Sequence, residues 1–232
     1  MDSTKASRHF AEELDTLKKR VVEMGRLVEE RIQLAVHALI DRNLGEPRTV
    51  VEGDTEIDQL QVEVDDRCFT LLALHQPMAI DLRSLVAAVK INSDLERVGD
   101  LAVNIAEATQ RYLSHPRLPS LVDIPRMAEL ALAMLHDALQ SFISNNVALA
   151  QSVLDRDDTL DELKMEVFRD LLSYMLHDAR TIEAALNLVL VSRHLERVGD
   201  HATNIAEDVI FIVAARDVRH VAAPPLTEAR AH

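Results

Sequence analysis

Residues 94–107 read DLERVGDLAVNIAE, and residues 194–207 read HLERVGDHATNIAE. Eleven of the fourteen positions are identical at a constant offset of one hundred residues. Self-similarity at a fixed offset is the signature of a duplicated structural unit. The chain of 232 residues is therefore predicted to contain two copies of one unit, and each copy ends in the same acidic helix.

Four polar residues of each copy fall on one side of this predicted helix. Their spacing is i, i+4, i+8 and i+11, which spans roughly 80° of the helix circumference. Carboxylates one turn apart repel each other unless a cation or a basic side chain lies between them. The polar residues are Glu96, Asp100, Asn104 and Glu107 in the first copy, and Glu196, Asp200, Asn204 and Glu207 in the second.

A glycine lies inside each of the two acidic helices, at Gly99 and Gly199. Glycine in a helix interior costs about 1 kcal/mol relative to alanine. Its presence at the same position in both copies therefore predicts that another backbone or a bulky group approaches each helix closely at this point.

The composition favours an aliphatic core built from long helices. Hydrophobic residues make up 48% of the chain, but only 3% of the residues are aromatic and none is Trp. Five Gly and seven Pro are too few for the many turns of an all-β protein. Apolar residues at the helical period predict six long helices, over residues 9–42, 50–74, 78–113, 125–145, 148–176 and 181–213.

Residues 114–120, SHPRLPS, interrupt the helical pattern with two prolines and mark the boundary between the halves. Three long helices joined by short loops run up, down and up. We therefore expect an all-α protein of two tandem, sequence-related three-helix bundles, the first over residues 1–115 and the second over residues 116–232. The C-terminal tail, residues 221–232, is expected to fray.

The formal net charge of −14 at pH 7 argues against two classes of partner. Nucleic-acid binding requires a basic surface, and electrostatic attachment to anionic lipid requires one as well. We therefore expect no nucleic-acid partner. An acidic surface suits cations or basic partners.

The single cysteine, Cys68, excludes an internal disulfide and the Cys-rich zinc modules. Its apolar helical surroundings predict a small buried residue rather than a reactive thiol. The N-terminal residues lack the apolar segment of a secretory signal, and no run approaches the ~20 apolar residues that span a bilayer. We expect a soluble, cytoplasmic protein without direct membrane insertion.

Each half contains a second pair of acids, on its middle helix. DTEID at residues 54–58 is matched by DDTLD at residues 157–161. Hard cations prefer oxygen ligands, and the pairs converge if the middle and last helices of a bundle face one another. The candidate metal ligands are Asp54, Asp58, Glu96 and Asp100 in the first half, and Asp157, Asp161, Glu196 and Asp200 in the second.

Two other interpretations of these acids remain open. Acids at i and i+4 also line solvated helix faces that bind nothing. Alternatively, Arg97 and Arg197 neutralise the carboxylates without a metal, although their direction suits a neighbouring helix better than their own. His201 follows Asp200 and is a candidate for a metal shell, but the first half has Leu101 at its place, which favours a structural or exposed histidine.

Nothing in the sequence indicates catalysis. Di-iron helical bundles draw ligands from Glu-x-x-His pairs, and none of the ten histidines has a glutamate three residues before it. The chain also has no glycine-rich phosphate-binding loop and no nucleophile-elbow motif. We therefore expect a protein that is not an enzyme.

The paired LERVGD-x-A-x-NIAE segments resemble the PhoU family of phosphate-transport accessory proteins. QPMAIDLR at residues 76–83 and VIFIVAARDVRH at residues 209–220 are similar to this family as well. The resemblance covers about residues 10–220 and implies tandem three-helix bundles. It also implies a cytoplasmic regulator that represses the phosphate-starvation response when phosphate is plentiful.

The resemblance further implies partners and a cofactor. The implied partners are the ATPase subunit of a phosphate ABC transporter and a phosphate-sensing histidine kinase, and we expect a homodimer. Some members bind iron or zinc clusters through Glu/Asp-x-x-x-Asp motifs. These motifs correspond to Glu96/Asp100 and Glu196/Asp200, and more loosely to Asp54/Asp58 and Asp157/Asp161.

Three hypotheses follow from the sequence. The favoured one is a non-enzymatic adaptor that conveys the state of a phosphate transporter to a two-component system, with acidic helices that are candidates for a multinuclear iron or zinc site. The second is a metal-storing or di-metal oxidoreductase protein on a helical scaffold. The third is a scaffold in which the acids form only ion pairs.

Overall fold

The computed structural model describes residues 2–43, 45–118 and 123–216, and the side chains of residues 2–7, 46 and 54 lie outside this description. Within these residues every regular element is helical, so the all-α prediction is confirmed. The α-helices are α1 (Asp2–Asp41), α2 (Glu46–Glu52), α3 (Asp54–His75), α4 (Ala79–Leu113), α5 (Ile124–Ser144), α6 (Val147–Leu154), α7 (Asp157–His177) and α8 (Ile182–Ala214), and a 3₁₀ turn, Ala179–Thr181, precedes α8.

The six long helices that the sequence predicts are present, but two of them are each divided into a short and a long segment. The predicted helix over 50–74 is divided at Gly53 into α2 and α3, and that over 148–176 is divided after Leu154 into α6 and α7. The Arg31 guanidinium occupies the space that a side chain at Gly53 would need. At the second break, Arg156 folds back to donate to the Ser152 carbonyl oxygen at 2.9 Å.

The long helices form two three-helix units that pack on each other. Helices α1, α3 and α4 form the first, and α5, α7 and α8 form the second, with α2 and α6 beside them. The most extensive helix–helix interface joins α4 to α8. Arg83, near the start of α4, donates to the carbonyl oxygen of Ile212, near the end of α8, at 3.0 Å. The two helices are therefore antiparallel.

The close approach predicted at the two helix glycines is confirmed. A Cβ at Gly99 would lie 3.2 Å from the Cδ1 and Cγ2 atoms of Ile57 on α3. A Cβ at Gly199 would overlap the Cδ2 methyl of Leu160 on α7. Ile57 and Leu160 lie at equivalent places in the two halves, so each glycine receives an aliphatic side chain from the middle helix of its own bundle.

One aliphatic core runs through both bundles among the described residues. Cys68 belongs to it and is fully buried, and burial raises the pKa of its thiol to about 12, as expected for a packing residue. No helix in the described ranges has the length and apolar content needed to cross a bilayer. The predicted tail at 221–232 lies outside the described residues, and the predicted boundary at 115/116 stays a prediction.

Gly199→Ala should be more costly in the native chain than in a Leu160→Ala background, because the added methyl group overlaps the Leu160 side chain. Urea denaturation of the double-mutant cycle should give a coupling free energy of about 1–3 kcal/mol. The cycle between Gly199→Ala and Ile57→Ala, in the other bundle, is the control and should show no coupling. An equal effect of Gly199→Ala in both Leu160 backgrounds would contradict this packing argument.

Candidate functional site

The predicted carboxylate pairs of the second half come together between α7 and α8, and a lysine lies among them. The Lys164 ammonium contacts the Glu196 carboxylate on α8 at 2.6 Å and the Asp161 carboxylate on α7 at 2.9 Å. Such distances are typical of charge-assisted hydrogen bonds. We call the acids of this group the second-half cluster, which consists of Asp157, Asp161, Glu196 and Asp200.

The electrostatics of the second-half cluster reflect this convergence. Burial, followed by the carboxylates of Asp161, Asp158 and Glu196, raises the pKa of Asp157. Burial, followed by Glu196, Asp157 and Asp161, raises the pKa of Asp200. Carboxylates raise one another's pKa only when they lie close together. Lys164 joins Asp161 on α7 to Glu196 on α8, so acids of the middle and last helices lie near each other in this half, and their role as metal ligands stays a prediction.

The first half has the same helix register. The contact of Ile57 with Gly99 is equivalent to that of Leu160 with Gly199, which puts Asp58 and Asp100 beside the point where α3 meets α4. Both carboxylates are exposed. Glu96 is partly buried on α4. Asp54 begins α3, and its side chain lies outside the described residues. We call these four acids the first-half cluster.

The two clusters differ in their internal cation. Lys164 lies four residues after Leu160, and Gln61 lies four residues after Ile57, so Gln61 takes the place of the lysine in the first half. The backbone carbonyl oxygen of Gln61 accepts a hydrogen bond from Asn92 Nδ2 on α4 at 2.8 Å, so this turn of α3 lies against α4. The first-half cluster therefore has a neutral amide where the second-half cluster has an ammonium group.

The position of Lys164 affects whether the second-half cluster can bind a metal ion. The oxygen donors suit a hard cation, but the Lys164 ammonium lies between Asp161 and Glu196, so the second-half arrangement does not fit a bound metal. Within residues 2–43, 45–118 and 123–216, no three or more His, Cys, Asp or Glu side chains are arranged to hold a metal ion. The metal prediction for both clusters stays a prediction.

His201 has a structural environment. It is buried, and its Nδ1 atom lies 2.8 Å from the Oδ1 atom of Asp94 on α4, which is also buried. The Asn204 amide is 3.4 Å from the same oxygen. This pair joins the two bundles, and Arg97 lines an adjacent cavity of about 310 Å³ with Asp94 and Asn204. The interpretation of His201 as a structural histidine agrees with these contacts.

The two equivalent contacts at the interface between α4 and α8 contain different polar residues. The repeat places His194 where the first half has Asp94, and Leu101 where the second half has His201. The Nδ1 atom of His194 is buried without a hydrogen-bond partner among the described atoms. Burial, and then the positive charge of Arg197, lowers the pKa of His194. The duplicated helices thus form an acid–histidine pair at only one of the two equivalent contacts.

The sequence patterns did not predict the contacts of Lys164 and Asp94. Lys164 follows Asp161 by three residues, which is a spacing for intrahelical ion pairs, but its reach to α8 depends on helix register. Asp94 carried a signal within the repeat. Only three of the fourteen repeated positions differ, and the substitutions Asp94/His194 and Leu101/His201 account for two of them.

Lys164→Gln should lower the free energy of unfolding at pH 7 by about 1 kcal/mol, because it leaves the carboxylates of Asp161 and Glu196 facing each other without a cation. Adding Glu196→Gln should restore most of the loss. Urea denaturation measures both effects. Lys19→Gln, which removes an exposed ion pair with Asp15, is the matched control and should change little. A Lys164→Gln effect no larger than this control would contradict the interpretation.

His201→Leu, which installs the residue of the equivalent first-half position, should lower the free energy of unfolding by about 3 kcal/mol. The change leaves the buried Asp94 carboxylate without its main partner. Adding Asp94→Leu should recover most of the loss, because removal of both polar groups is far less costly. Thermal and urea denaturation measure these effects. A double variant that is less stable than His201→Leu alone would argue against the pair.

Comparison with known proteins gives one consistent family. A family model described as PhoU domain matches residues 21–109 and again residues 124–209. The phosphate-specific transport system accessory protein PhoU homolog of Aquifex aeolicus is 42% identical over 90% of this chain and 94% of its own length. The protein of the same description from Pseudomonas aeruginosa is 38% identical over 93% of this chain and 89% of its own.

Solved structures agree with this result. The crystal structure of PhoU from Pseudomonas aeruginosa superposes with a TM-score of 0.85 at 36% identity, over 89% of this chain and 100% of that one. The phosphate transport system regulatory protein PhoU from Streptococcus pneumoniae superposes with a TM-score of 0.84 at 28% identity, over 90% of this chain and 99% of that one. With both halves matched by the same domain model and most of the chain aligned to these relatives, this protein belongs to the PhoU family.

Proposed function

We propose that this chain is a non-enzymatic accessory protein of a phosphate-specific transport system. It acts in the cytoplasm as an adaptor between the ATPase subunit of a phosphate ABC transporter and a phosphate-sensing histidine kinase, and it represses the phosphate-starvation response when phosphate is plentiful. The names of the relatives, which are accessory and regulatory proteins of phosphate transport, support the transport role. The homodimer is part of the same proposal.

The observation that carries the adaptor proposal is an exposed apolar face that occurs once in each half. In the second half, Met165 and Leu172 on α7 and Ile182 and Leu186 on α8 are exposed. The two helices follow each other along the chain and pack together, so these side chains line one side of a helical hairpin. We call these four residues the second outer face.

The first half repeats this arrangement at the equivalent positions. Val62 and Phe69 on α3 and Leu82 and Val86 on α4 form the first outer face, and all four are exposed, Phe69 to 59%. Clustered exposed apolar residues mark protein–protein interaction sites, because monomeric surfaces rarely keep such side chains in water without a function. Two such faces on one chain suit a protein that contacts two partners.

The two faces differ in the groove between their helices. In the second half, Phe168 and Ser192 line an open groove of about 370 Å³. In the first half, the equivalent positions are Asp65 and Asn92, and the Asn92 amide donates to the Asp65 carboxylate at 2.9 Å. One face therefore offers an apolar groove and the other a polar bridge, which favours two different partners over two copies of one.

No observation favours the metal-storing or oxidoreductase alternative. Such a protein requires carboxylates that are free to bind metal ions, and in the second-half cluster the Lys164 ammonium already contacts Asp161 and Glu196. The iron or zinc site expected in the second half is therefore not part of the adaptor proposal, and the one expected in the first half stays a prediction.

Phe69→Glu and Leu172→Glu, at equivalent positions of the two outer faces, test the adaptor proposal. Binding of each variant to the purified transporter ATPase subunit and to the cytoplasmic part of the purified sensor kinase is measured by calorimetry. Each variant should weaken binding of one partner by at least about tenfold, the loss expected when a charge is buried in an apolar interface.

Val51→Glu is the matched control, because Val51 is an exposed apolar residue outside both faces. It should leave both affinities unchanged. If the native protein bound neither purified partner with or without phosphate, the adaptor function would be wrong. If both face variants kept native affinity for both partners, the assignment of the docking surfaces would be wrong while the adaptor function would stand.

A further inference from the structure

We infer that Lys164 is the resident cation of the second-half cluster and that its ammonium group keeps metal ions out of that cluster. The inference concerns the carboxylates alone and does not depend on the adaptor function. The inference applies to the second half alone, because the equivalent position in the first half is the neutral Gln61.

The Lys164 ammonium group lies where a metal ion shared by the two carboxylates would have to lie. Lys164 Nζ lies 2.6 Å from Glu196 Oε1 and 2.9 Å from Asp161 Oδ1, and so it bridges α8 and α7. A metal ion that used both carboxylates would need its oxygens at about 2.0–2.6 Å, which is the space that the ammonium occupies. Two cations a few ångströms apart repel each other, so the metal and the ammonium exclude one another.

Competition between the two cations favours the lysine. Lys164 is attached to the helix that carries Asp161, so its local concentration at the cluster is on the order of millimolar or higher. Its side chain is 28% exposed and that of Glu196 is 19% exposed, so solvent screens the pair only in part.

The internal repeat allows Lys164 to be compared with the residue at the equivalent position of the first half. Ile57 against Gly99 and Leu160 against Gly199 fix the same helix register in both halves. Gln61 and Lys164 therefore have equivalent places beside their clusters. An amide has no charge and offers an oxygen as a further ligand, so replacing the lysine with glutamine makes the second-half environment resemble that of the first half.

Lys164→Gln is the test, with Mn²⁺ alone as the probe. Equilibrium dialysis followed by elemental analysis measures bound Mn²⁺ per chain in apo protein purified without an affinity tag. Lys164→Gln should bind about one more Mn²⁺ per chain than the native protein, since a hard cation now finds uncompensated oxygen ligands. Adding Glu196→Gln should abolish this gain. Lys164→Arg, which keeps the positive charge, should bind no more than the native protein.

A thermal measurement keeps the test valid if Lys164→Gln folds less stably. Its melting temperature should rise on addition of Mn²⁺ by more than that of the native protein, because ligand binding to the folded state is stabilising. No gain in bound Mn²⁺ and no extra thermal rise would overturn the inference. Loss of bound Mn²⁺ from the native protein on Glu196→Gln alone would overturn it too, because the native cluster would then hold metal beside Lys164.

Discussion

The packing of α4 against α8 is the constraint on which the rest of the molecule depends. Each of these helices contacts the middle helix of its own bundle through a glycine, contacts the other bundle through a long antiparallel interface, and carries half of the acids of its cluster. A residue in this segment therefore meets several requirements at once. This explains why eleven of fourteen positions are identical here, while the middle helices α3 and α7 repeat only weakly.

Sequence patterns predicted the features that depend on local periodicity. The six long helices, the close approach at Gly99 and Gly199 and the convergence of the second-half acids all follow from helical spacing and from the repeat. The breaks at Gly53 and before α7 were not predicted. The Arg31 guanidinium lies against Gly53, and Arg156 donates to the Ser152 carbonyl oxygen beside the second break, and such side-chain contacts depend on the folded arrangement. The contact of Lys164 with α8 was not predicted for a similar reason. Whether a long side chain reaches another helix depends on how the two helices are aligned, and helical spacing within one sequence does not give that alignment.

The two halves have kept one backbone arrangement and acquired different chemistry. The glycine contacts and the helix register are equivalent in both halves. The side chains differ, because the first half has Gln61 at the position of Lys164 and Asp65 at the position of Phe168. Aliphatic packing fixes where side chains lie, and polar substitutions at these positions then change charge without moving helices. A duplicated fold can in this way present two surfaces and two clusters of different character on one rigid core.

The asymmetric contact between Asp94 and His201 has a consequence for how the halves recognise each other. If two first halves paired through α4, each buried Asp94 would face a leucine, and if two second halves paired through α8, histidine would face histidine. Only the unlike combination gives an acid a basic partner. The interface thus discriminates against self-association of either half, and the covalent link holds together two pieces that have become complementary rather than interchangeable.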